Sequence, residues 1–219
     1  MKDHANLYFL YPNDQKLYAE LIEKRGKDSV SNDEVIDLGS LYIRMQDEES
    51  AFNLYKELLK KEPNNIKANL WYSYWYLQYR PGNEKELRWV IEIANKFIGF
   101  NSDLASVGYR IKEFAVSDIN YKNSKDRISL LKKAIDICPN WSMSHECLAT
   151  VYFYANLKRE ALKHFQLALE NLLGISNSDW GPAEQDFHHY FTGHAHSKEN
   201  NKGLLLKIEK LKKELEITD

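Results

Sequence analysis

The chain repeats itself, and that limits its architecture more than any other feature. Slid along itself by 110 residues, Leu38, Gly39, Tyr42, Ala51, Tyr55 and Leu58 fall on Leu148, Ala149, Tyr152, Ala161, Phe165 and Ala168, with compatible side chains at every pair. The offset equals three periods of about 34 residues with a remainder of about eight, and such periods mark stacked supersecondary units. Two intermediate copies account for the remainder. Tyr72, Ser73 and Tyr76 continue the register of Leu38, Gly39 and Tyr42, while Leu87, Ile91 and Ala94 continue that of Ala51, Tyr55 and Leu58 after two extra residues. Those two fall in the Arg80-Pro81-Gly82-Asn83 turn. A third copy holds Phe114-Ala115 and then Arg127, Leu131 and Ala134, with the other six residues entering around Phe97–Asp103.

The residue types explain the pattern. Small side chains at Gly39, Ser73, Ala115 and Ala149 let a first helix approach its partner, and Ala51 and Ala161 do the same on the second. Tyr42, Tyr55, Tyr152 and Phe165 fill the space between helices. Pro63 and Pro139 end helices, and Asn64-Asn65 and Asn140 are placed to cap the helices that follow. A helix over about 14–25, with Asn13 or Asp14 as cap and Leu17, Tyr18, Leu21 and Ile22 on one side, is expected to cover the first copy. Leu204, Ile208, Leu211 and Leu215 form a seam of less than two heptads, which reads as a capping helix rather than a dimer zipper.

These copies resemble the tetratricopeptide repeat (TPR), a helix–turn–helix unit, over residues 32–171. The resemblance is weakest in the first half of the third copy, where Asp118 stands in the place of Tyr42. It implies an all-α, right-handed α-solenoid of about four repeats. Residues 1–31 would then hold the N-terminal cap, and 172–219 a helical, histidine-rich extension with a C-terminal cap.

The resemblance also implies a concave groove lined by the first helix of each copy. The first copy would present Asp33, Ile36, Asp37, Ser40 and Arg44, and the second Lys67, Leu70, Trp71, Tyr74 and Gln78. The third would offer Tyr109, Lys112, Glu113 and Val116, and the fourth Met143, Glu146, Cys147, Thr150, Phe153 and Tyr154. Aromatic side chains are common interface anchors. Trp71, Tyr74, Trp75 and Tyr154 could equally pack within the solenoid or beneath the C-terminal segment. TPR domains that clamp a peptide's terminal carboxylate use Lys, Asn and Arg on successive first helices. The corresponding positions here hold Ile36, Ser40 and Trp71, so that mode is not expected.

Charge narrows the function classes. With 30 Lys and Arg against 32 Asp and Glu, the chain lacks the basic excess of a nucleic-acid binder. RNA binding through stacked aromatics is the weaker alternative. No apolar run approaches the length of a membrane span, and two cysteines, Cys138 and Cys147, suit a reducing compartment. The chain therefore reads as cytoplasmic, without a membrane partner, and monomeric or weakly dimeric.

Residues 184–196 gather His188, His189, His194 and His196 with Glu184 and Asp186, side chains capable of holding Zn²⁺. Their spacing matches no metal motif. GxSxG and Gly-rich phosphate loops are absent. No catalytic residue, metal or cofactor is expected. The reading is a protein- or peptide-binding adaptor, with two alternatives: a dedicated inhibitor or immunity protein neutralising one toxin or enzyme, or metal-dependent activity in the histidine-rich segment.

Overall fold

A computed structural model describes residues 14–79, 84–100, 104–119, 124–171 and 202–217, the side chains at 74, 75, 78, 79 and 118 excepted. Every regular element among them is an α-helix. The fold is an all-α, TPR-like solenoid with capping helices at both ends. Its helices divide between two compact units, and the division falls inside the second repeat.

The first unit holds α1 (Asp14–Gly26), α2 (Asn32–Arg44), α3 (Glu48–Lys61) and α4 (Ile66–Tyr79), each packed on its neighbour in sequence. Ser31 and Glu34 close a reciprocal capping box at the start of α2, satisfying donors that a helix N-terminus leaves unpaired. Asp47 accepts from the Ser50 N–H at α3, and Asn65 from the Ala68 N–H at α4. The tight α2–α3 contact depends on Gly39: a Cβ there would lie 2.4 Å from the Tyr55 ring. Tyr55 Oη then donates to the Ile36 carbonyl at 3.3 Å.

The second unit holds α5 (Glu84–Ile98), α6 (Leu104–Ile119), α7 (Ser124–Ile137), α8 (Ser142–Tyr154), α9 (Lys158–Asn171) and α10 (Lys202–Glu214). Leu204, Ile208 and Leu211 of α10 are buried against Leu148, Tyr152, Leu162 and Phe165, with Leu215 packed beside them. The C-terminal seam thus closes the end of this unit. Asn140 does not cap α8: the residue at the cap is Trp141, with no side-chain cap bond, because an indole N–H donates and cannot accept from the backbone.

Repetition extends to the backbone. Gln46 and Asn156, equivalent under the 110-residue offset, both take φ of 60° just after the first helix. In both copies the next N–H returns to the same tyrosine carbonyl, Asp47 to Tyr42 and Leu157 to Tyr152, each at 2.9 Å. A left-handed residue after the helix is what lets those end carbonyls find donors.

Helices α5 and α6 approach closely at Gly108. A Cβ there would meet the Ala94 carbonyl, the Ile98 N–H and the Phe97 Cβ, each at 2.8 Å. Two of these are backbone atoms, so α6 would have to move off α5. Gly108→Ala is therefore expected to destabilise this unit by about 1–3 kcal/mol, read as a lower urea midpoint with m unchanged.

Candidate functional site

The first helices of the repeats carry the positions expected to face a partner, and the two units treat them differently. In the first unit they are shielded. Ile36 and Ser40 of α2 are 1% and 0% exposed, and Leu70 and Trp71 of α4 are 5% and 2%. Arg44 is buried too, because its Nη1 bonds both carboxylate oxygens of Asp14, at 2.9 and 3.1 Å. This corrects the expectation for Arg44. Arg44 is a structural cation rather than groove surface, and Asp14 holds that cation. Asp37 is half-buried, and Lys67 is exposed, 3.3 Å from Asp33. The side chains of Tyr74 and Gln78 lie outside the described residues.

The long buried runs in α2 and α4 have a signal in their sequences. Leu38 to Met45 are buried in an unbroken run, as are Ala68 to Ser73. A helix apolar on every side is a core helix. The α4 sequence IKANLWYSYWYLQY lacks the polar stripe that an open face would need.

In the second unit the same register is open. Met143, Glu146, Cys147 and Thr150 follow one another along one face of α8, all partly exposed, and Tyr154 at its end is 81% exposed. Thr150 Oγ1 donates to the Glu146 carbonyl at 2.9 Å, and Glu146 Oε1 accepts from Lys207 of α10 at 3.1 Å. Phe153 and Cys147 are partly buried and both pack against the core. Burial pushes the Cys147 thiol pKa up; Arg110 and Arg127 work against this, and Glu113 and Glu146 add to it.

On α6, Tyr109, Lys112 and Val116 are partly exposed, and Lys133 Nζ sits 5.7 Å from the Tyr109 ring centre. Glu113 is only 2% exposed and is not a contact residue. Its carboxylate accepts from Arg127 Nε at 2.8 Å and from Arg110. Two guanidiniums tie this acid into the α6–α7 pair, where a buried carboxylate needs such partners.

Among the described residues no group of three or more His, Cys, Asp or Glu could hold a metal ion. No helix there is long and apolar enough to cross a membrane. The histidine-rich stretch 184–196 lies outside the described residues. One histidine pair escaped the sequence reading: His145 of α8 and His164 of α9, whose Nδ1 atoms lie 2.9 Å apart. Nineteen residues separate them in sequence, and no motif marks that spacing.

No protein-family model matches the chain, and no curated protein does. Solved structures of MamA, a TPR-repeat protein, do. The 41-to-end segment of MamA from Desulfovibrio magneticus RS-1 superposes with a TM-score of 0.58 at 15% identity, covering 76% of this chain and 89% of that one. A double mutant of the RS-1 protein gives 0.57 at 16%, covering 72% and 84%. MamA of AMB-1 gives 0.51 at 19%, covering 75% and 100%. At such identities the likeness is one of fold.

Proposed function

We propose that this chain is a protein- or peptide-binding adaptor that engages its partner through the exposed face of α8 and the adjoining face of α6. The observation behind this reading is a contrast between equivalent positions. Ile36, Ser40 and Arg44 correspond to Glu146, Thr150 and Tyr154 under the 110-residue offset; the first three are buried, and Tyr154 is 81% exposed. Folding alone does not require an aromatic side chain in water at that position. The surroundings suit a partner with both apolar and polar groups: a thioether, a thiol and a hydroxyl lie along the stripe, and the Glu146–Lys207 pair forms part of its margin. A TPR-like fold in solved proteins is consistent with this reading.

The test is affinity capture from lysate of the source organism, with wild type against Thr150→Arg/Tyr154→Ala. Both side chains are solvent-accessible, so stability should change by less than about 0.5 kcal/mol for each substitution. Retention of the specific partner should fall at least about tenfold, the loss expected for an interface anchor. Equal retention by both proteins would sink the assignment. One protein retained at stoichiometric level would favour a dedicated inhibitor within the same reading, whereas several would favour a general adaptor.

A further inference from the structure

Both histidines among the described residues meet in the last hairpin, and their tautomers follow from their neighbours. His145 is 4% exposed, and its Nε2 lies 2.8 Å from the Pro139 carbonyl oxygen. A carbonyl only accepts, so Nε2 carries the hydrogen and the Nδ1 of the neutral ring is a lone pair. His164 Nδ1, 2.9 Å away, is then the donor. The rings are inclined by only 24°, with centroids 5.2 Å apart. The pair joins α8 to α9 and to the turn before α8, where the Asn171 side chain also approaches the Pro139 carbonyl at 3.5 Å.

This arrangement can hold one added proton but not two. A single proton leaves one lone pair between the rings, and the hydrogen bond survives. A second would set two N–H groups against each other at contact distance. Among the described residues, no acid is one of the groups that shift His164. The groups facing His164 are His145 from α8, Lys132 from α7 and Lys163 of its own helix. From α10, Lys207 stands 5.3 Å from the centre of the neighbouring Phe165 ring. The Tyr152 ring is 5.6 Å from that of His164. Burial above all, then His145, Lys163 and Lys132, push the His164 pKa down to about 4.

We infer that the His145–His164 pair is an acid-sensitive latch on the last hairpin, one that holds α8 to α9 at neutral pH and releases both, with the α10 cap that rests on them, when both rings are charged. The sign follows from linkage. His164 binds its proton less readily folded than unfolded, so its contribution is complete above its ordinary pKa and is lost as pH falls toward about 4. A full shift from an ordinary value of about 6.5 to the folded one would move the opening equilibrium at pH 5 by up to roughly 30-fold, and solvent reaching the half-buried His164 ring screens part of that.

Hydrogen exchange, corrected for intrinsic rates, tests this on the full chain at pH 7.5 and pH 5. Protection in α8, α9 and α10 should fall about 10- to 30-fold, and that in α2 and α3 less than about 3-fold. His164→Gln keeps a donor for His145 and removes a titrating ring, so the fall should shrink below about 3-fold. An equal fall in α2 and α3, or an undiminished fall in folded His164→Gln, overturns the latch. Imidazole nitrogen spectra of the wild type decide the matter even where the variant does not fold. At neutral pH they should show hydrogen on Nε2 of His145 and Nδ1 of His164, and a His164 ring titrating near its ordinary value would refute the proposal.

Discussion

Truncating Trp71 to alanine is expected to destabilise the first unit by about 3–5 kcal/mol, the cost of emptying a buried aromatic site. Among the described residues Trp71 is the largest of the fully buried side chains, at 2% exposure. Burying an indole removes roughly 150–250 Å² from water. At about 25 cal/mol per Å² this corresponds to some 4–6 kcal/mol, before any relaxation. The cavity would be lined by a helix that is itself enclosed, since Ala68, Leu70, Tyr72, Ser73, Tyr76 and Leu77 of α4 are also buried. Chemical unfolding of the full chain would show an early transition. A partner-binding defect in this variant would therefore say nothing about contact. A Trp71→Ala protein with wild-type stability would show that the indole is not core.

Removing one partner of the Asp14–Arg44 pair should cost about 3–5 kcal/mol, because a buried charge loses a direct ion-pair contact at 2.9 Å. The two side chains are 8% and 7% exposed, so neither charge can turn to water. Arg44→Ala and Asp14→Ala should each lower the midpoint of thermal unfolding by several degrees. The double variant Asp14→Leu/Arg44→Met should recover most of the loss, since apolar replacements of similar size can match or exceed a buried ion pair. A double variant less stable than either single one would contradict this account. The pair ties the first turn of α1 to the last residue of α2, so its loss should first loosen the N-terminal cap.

Much of the fold was legible because repetition is written in residue sizes. Gly39, Ser73, Ala115 and Ala149 are all buried, and at Gly39 even a Cβ would collide with the Tyr55 ring. The seam of Leu204, Ile208, Leu211 and Leu215 could be read because a 4–3–4 apolar spacing on an otherwise charged helix has one buried side. The cap of α8 was misread by one residue, a shift that propensity does not resolve. Gly108 drew no notice as a packing residue, since an isolated glycine in a helix is visible in the sequence but the backbone it faces is not.

The sequence by itself determined the helices, their period and the small residues that seat them, because these depend on local geometry and on contacts between neighbouring elements. Tertiary structure alone decided which copies of a repeated face remain open. Arg44 and Tyr154 occupy the same place in the repeat, yet one is 9% exposed beside a carboxylate 30 residues away and the other is 81% exposed. It also decided that His145 and His164 share a hydrogen bond. Burial and pairing are properties of what the rest of the chain places nearby, and a local pattern carries no record of distant neighbours.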